Sequence, residues 1–168
     1  SYYRFLFGDS YGAITWLANQ PETANQSIGT HGGSQGGGLS LWMGALHPKV
    51  KASTAHVPNM CHLERGVWSS TGSLTEIRDF LRRFPEHYDQ VMRTLSYFDF
   101  LNIADTFSIP VLVSVGLQDT MCLPETIYGA YNYINSPKEI LWEPFAGHPV
   151  STRRFRKGLY FLQKHLVR

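Results

Sequence analysis

The residue best placed to do chemistry is Ser34, inside Gly32-Gly33-Ser34-Gln35-Gly36 with Gly37 and Gly38 behind it. A short β-type run, Ser27 to His31, leads in, and an apolar helical run, Leu39 to Leu46, leads out. A G-x-S-x-G pattern between strand and helix is a nucleophile elbow, which lifts a hydroxyl onto a sharp turn. Such a turn needs strained backbone angles, and side chains at Gly32 or Gly36 are expected to collide with the crossing strand and helix. The helix after the turn aims its free N–H groups and positive dipole end at any anion forming there. A plain flexible glycine loop is the competing reading. A phosphate loop is excluded, because no Lys-Ser/Thr follows the glycines and no G-x-G-x-x-G register fits.

A serine hydroxyl becomes a nucleophile only beside a base, with a carboxylate to orient that base. On a nucleophile-elbow scaffold the chain order is Ser, then Asp or Glu, then His, each after a strand. Asp119 closes Gly116-Leu117-Gln118-Asp119 directly after a buried-strand pattern, and His148 follows a final strand in Ala146-Gly147-His148. Asp119 alone is equally a cap for the helix opening near Pro124, and the chain has seven histidines from which to choose. The three together in this order favour a triad. Ser34 then attacks an ester carbonyl, His148 carries the proton to the leaving alkoxide, and Asp119 holds the imidazole tautomer. The Gln35 backbone N–H supplies an oxyanion donor. His31 and His62 read as supporting or packing residues.

The elements that must position these groups alternate helix and strand. Tyr2 to Ala18 has helical spacing weakened by Gly8 and Gly12, and Asn19 to Asn25 is turn-like. After the elbow unit, Val50 to Val57, Ile109 to Gly116 and Glu139 to Phe145 read as strands, with a helix from Pro124 to Tyr133 between the last two. A closing helix, Arg153 to Val167, is expected to bury Phe155, Leu159, Leu162 and Leu166 and to keep its Arg and Lys residues in water. This alternation predicts a parallel sheet with helices on both faces, an α/β-hydrolase fold. Residues 59–107 interrupt it with a helical insertion. A capping box at Ser73 and Glu76 starts one of its helices, and Pro85 divides the next from it. Such an insertion builds a lid or pocket, or serves as packing surface.

Composition bounds the rest. The length suits one domain, 1–168, able to bury roughly 70% of its unfolded surface. A net charge of +2 with 17% charged residues argues against a nucleic-acid partner, and the absence of an 18-residue apolar run argues against a membrane partner. Cys61 and Cys122 lack metal spacing and read as reduced thiols of a cytoplasmic protein, with a single disulfide left open. No metal or organic cofactor is called for. The chain opens at Ser1 inside a helical pattern, which reads as a processed or excerpted start.

Five blocks, HGGSQGGGLS from His31, VPNMCHL from Val57, RTLSYFD from Arg93, SVGLQD from Ser114 and AYNYINSPKEI from Ala130, resemble the acetyl xylan esterase / cephalosporin-C deacetylase family of carbohydrate esterases. The resemblance runs from about Tyr2 to the end and covers the family's C-terminal half. It implies serine-dependent removal of acetyl groups from acetylated xylo-oligosaccharides and cephalosporin C, with the family triad falling on Ser34, Asp119 and His148. It also implies closed oligomers, and an N-terminal half carrying a second oxyanion donor. Where the family has His-Glu after the last strand, this chain has His148-Pro149. Without the N-terminal half, the strand before the elbow is expected to be an apolar edge, calling for a homo-oligomer or a complementary N-terminal segment. The opposing reading is a hydrolase-derived module that no longer catalyses and serves assembly or binding. A serine peptidase or acyltransferase on the same scaffold is a third.

Overall fold

A computed structural model describes residues 2–167. Its elements run α1 (Tyr2–Ala18), β1 (Ile28–Gly33), α2 (Gln35–Leu46), β2 (Val50–His56), α3 (Leu63–Ser69), α4 (Leu74–Arg83), α5 (Tyr88–Ser96), β3 (Val111–Gly116), α6 (Pro124–Tyr133), β4 (Lys138–Glu143) and α7 (Thr152–Leu166). Short 3-10 turns at Pro85–His87 and Phe100–Thr106 complete the insertion. The four strands form one parallel sheet in the order β1-β2-β3-β4. All their carboxyl ends therefore meet along one edge, and Ser34, Asp119 and His148 each follow a strand on that edge.

Alternation along the strands divides the sheet into two faces. Ala55, Val111, Val113 and Val115 face α2, α6 and the Phe100–Thr106 turn, where Leu41, Trp42, Phe100, Phe107 and Ile127 complete the main core. Ala52 and Leu112 face α7 and meet Phe161, Leu162 and Leu166. α1 runs through Gly8 and Gly12 without a break and lays Tyr3, Phe7 and Ile14 on the main core. The insertion holds a satellite core of its own, Leu63, Val67, Leu74 and Leu95, packed by Ile77, Leu81, Val91 and Met92. No helix among the described residues is long and apolar enough to cross a membrane.

Several local expectations are corrected. Ser73 has helical backbone angles and caps nothing with its side chain, so the Ser73–Glu76 capping box does not form. α7 buries Arg154, Gly158 and Phe161, whereas Phe155 and Leu159 are about half exposed. The stripe is displaced because α7 crosses two histidines. A Cβ at Gly158 would stand 2.6 Å from His56 Nε2 and 2.9 Å from His31 Cε1, so only glycine lets the helix lie this close. Arg154 is fully buried, against the expectation that the basic residues of this helix are all solvated. β1 is an edge strand, but with three glycines, Thr30 and His31 in its six residues it is not an apolar one.

Beneath α7, His31 Nδ1 lies 2.7 Å from Thr54 Oγ1 and His56 Nδ1 lies 2.9 Å from Ser114 Oγ. His56 Nε2 is buried without a hydrogen-bond partner. Burial, with His31 and Arg154 nearby, lowers the His56 pKa from 6.5 to about 4. The unfolded chain then binds the extra proton first, so stability is full above pH 6.5 and drains away as pH falls toward 4. The shift corresponds to about 3 kcal/mol at the acid end. Urea unfolding at pH 7.5 and pH 4.5 should show this loss, and His56→Gln should reduce the difference between the two midpoints.

Candidate active site

The elbow is built by a backbone that only close packing can hold. Ser34 sits at φ 55° and ψ −120°, a region costing a non-glycine residue on the order of 1–3 kcal/mol. Three hydrogen bonds fix it: Ser34 N–H donates to His56 O at 2.9 Å, while Ser34 O accepts from Gly38 N at 3.0 Å and Asn59 N at 2.9 Å. A Cβ at Gly32 would run into the Gly36 backbone, as expected, but one at Gly36 would meet open space. The tight positions behind the serine are instead Gly37, against His56 O, and Gly38, against Asn59 O.

Ser34, Asp119 and His148 come together. His148 Nε2 stands 2.9 Å from Ser34 Oγ, and His148 Nδ1 stands 2.9 Å from Asp119 Oδ2. Asp119 is buried, and its other oxygen, Oδ1, accepts from the backbone N–H groups of Met121 at 2.8 Å and Cys122 at 3.0 Å. The residue before α6 is Leu123, with no side-chain cap, so Asp119 organises the preceding turn rather than the helix. With Oδ1 occupied by amides, Oδ2 is the oxygen that faces His148 Nδ1. In the tautomer with the hydrogen on Nδ1, Nε2 is the ring nitrogen that faces Ser34 Oγ. Gln35 is the first residue of α2, so its N–H has no preceding helical turn to bond.

A cavity of about 90 Å³ opens on Ser34 and His148, walled by Asn59, Met121 and Cys122 and roofed from the insertion by Ser70, Gly72 and Leu74. A larger one, about 420 Å³, lies between α4 and α5 and touches none of the three residues. Cys122 and Cys61 are free thiols, and burial pushes the Cys122 pKa up to about 12. His31 packs under α7. His62 starts α3 in a left-handed conformation, at φ 50°.

Asp99, the last residue of the RTLSYFD block and given no role by the sequence, holds the loop behind Ser34. The loop after β2 contains three further positive φ values, at Val57, Met60 and His62. Asp99 ties it down, accepting from His62 N at 2.7 Å, Leu63 N at 2.6 Å and Leu101 N at 3.1 Å. Burial raises the Asp99 pKa against the pull of these three donors. Its signal in the sequence was an isolated Asp in an apolar stretch, Phe98-Asp99-Phe100.

A parallel sheet, a strained elbow serine and partners after later strands define an α/β-hydrolase. Likenesses to known proteins narrow this further. The model of the acetyl xylan esterase family matches residues 1–166, and the chain belongs to that family. A solved acetyl xylan esterase from Paenibacillus sp. R4 superposes with a TM-score of 0.92 at 34% identity, over 98% of this chain and 54% of that one. Acetyl xylan esterase 1 from Thermoanaerobacterium sp. JW/SL YS485 gives 0.88 at 34%, over 96% and 53%. The curated acetyl esterase Axe7A of Xylanibacter ruminicola is 28% identical over 98% of this chain and 37% of its own length. The chain thus spans about half of these solved relatives and less of the curated one.

Replacing Asp99 with Asn puts an amide donor among backbone donors. Unfolding measurements should register a loss of about 1–3 kcal/mol, and a variant as stable as the parent would remove Asp99 from this role.

Proposed function

We propose that this chain carries the catalytic triad of a serine carboxylesterase acting on small acetyl esters, with acetylated xylo-oligosaccharides and cephalosporin C-type acetates as the substrate class. The observation that carries this reading is the single imidazole of His148 within 2.9 Å of both Ser34 Oγ and Asp119 Oδ2. Ser34 attacks the acetyl carbonyl as His148 Nε2 takes its proton. The imidazolium, stabilised by Asp119, returns that proton to the departing alkoxide. Water then repeats the sequence on the acetyl-enzyme. The Gln35 N–H at the start of α2 donates to the oxyanion. The names of the relatives support the acetyl group, and the 90 Å³ cavity supports a short acyl chain.

p-Nitrophenyl acetate tests this directly. Ser34→Ala should lower turnover by at least about 10³-fold, and a serine-directed phosphonate should label Ser34. Butyrate and octanoate esters should fall progressively behind acetate, and peptides should not be cleaved. A parent chain with no Ser34-dependent turnover would overturn the reading in favour of a binding or assembly module.

The proposal includes a partner at β1, either a second copy or a complementary N-terminal segment bringing the second oxyanion donor. Among the described residues β1 pairs with β2 alone, and α1 exposes Tyr2, Phe5 and Trp16. A cytoplasmic setting belongs to the same reading. Size-exclusion chromatography should give a mass above 19.1 kDa, whereas a well-folded monomer would sink the partner proposal.

A further inference from the structure

We propose that Arg154 is a positioning residue for His148, its buried guanidinium gripping the carbonyls on either side of that histidine. The proposal rests on the triad reading above and extends it to a residue that touches none of the three side chains. Arg154 Nη1 donates to Gly147 O at 3.3 Å and to Pro149 O at 3.0 Å. Its Nε lies 2.8 Å from Glu143 Oε2, at the end of β4. The side chain is completely buried and that of Glu143 is 11% exposed. An unpaired guanidinium is too costly to bury, so its carboxylate partner and its carbonyl contacts come as a set.

The geometry explains why His148 needs such a grip. Its loop runs from Glu143, the last residue of β4, to Ser151, the cap of α7. Pro149 has no N–H to anchor the chain just beyond the histidine. Arg154 replaces that missing anchor from the carbonyl side. Its own position is fixed at the start of α7, where its N–H donates to Ser151 Oγ at 3.2 Å. The clamp also reaches the Asp119 loop. A Cβ at Gly116, the last residue of β3, would stand 2.8 Å from Arg154 Nη2 and 2.5 Å from the carbonyl oxygens of Ala146 and Gly147. A glycine at 116 thus lets the guanidinium and the His148 loop pack against the end of the strand that presents Asp119.

Lysine keeps the charge but loses the planar fork, and cannot reproduce its fixed donor geometry. A small displacement of a positioned catalytic group costs as much as about 10²-fold in rate. The test compares Arg154→Lys and Arg154→Met with the parent chain by two independent readouts. In ¹⁵N-histidine-labelled protein, the parent should show a protected His148 Nδ1–H, and both variants should lose or broaden it. In p-nitrophenyl acetate kinetics, kcat should fall about 10- to 100-fold while KM stays within about twofold. Arg154→Lys should do so with a melting temperature close to the parent's. A lysine variant that is folded and keeps both the parent's Nδ1–H signal and its kcat overturns the proposal, even if Arg154→Met fails to fold. A parent without Ser34-dependent turnover overturns the esterase reading instead, and the histidine spectrum still decides the role of Arg154.

Discussion

The site depends on holding one serine in a backbone conformation it would not choose. Ser34 keeps its positive φ because its N–H and carbonyl are tied to β2, to α2 and to the loop beyond β2. Those ties require chain segments to cross at distances only glycine permits, which is why Gly32, Gly37 and Gly38 surround it. The strain is local, and the restraint is spread across three elements. The loop beyond β2 is held in a similar way, with three more positive φ values and Asp99 accepting from the N–H groups around its end.

Around that fixed hydroxyl the site is assembled by carboxylates and one guanidinium acting on backbone. Asp119 uses one oxygen to shape its own turn and the other to meet His148. Glu143 and Arg154 do the corresponding work on the opposite loop. The loops that carry Asp119 and His148 are therefore each met by a charged group directed at backbone amides or carbonyls. Buried charges of this kind are tolerated because each lies beside an opposite charge or backbone dipoles, although Arg154 Nη2 has no hydrogen-bond partner.

The parts of this arrangement that announce themselves in sequence are those with a fixed local context. Ser34 lies between glycines at a strand–helix junction, while Asp119 and His148 follow runs of strand type. The parallel sheet was readable for the same reason, since Val111 to Gly116 is apolar almost throughout, as a strand covered on both faces must be. Arg154 was not readable. It stands among Arg153, Arg156 and Lys157, and helical periodicity placed Phe155 and Leu159 inward, although they are half exposed. Only the passage of α7 over His31 and His56 rotates the helix so that Arg154 and Gly158 turn in. The Ser73–Glu76 box failed for a related reason, because the chain is already helical at Ser73 and no longer needs a side-chain cap. Tertiary packing overruled local pattern in both places.

The composition of β1 has a consequence for anything that comes to lie beside it. Ile28-Gly29-Thr30-His31-Gly32-Gly33 presents a ledge of amides and carbonyls with almost no side-chain relief on it. A strand added there would be gripped through its own main chain, and the code for choosing it would have to be written on the visitor and on the neighbouring helices. Half of the identity of such a junction would be stored outside β1 itself.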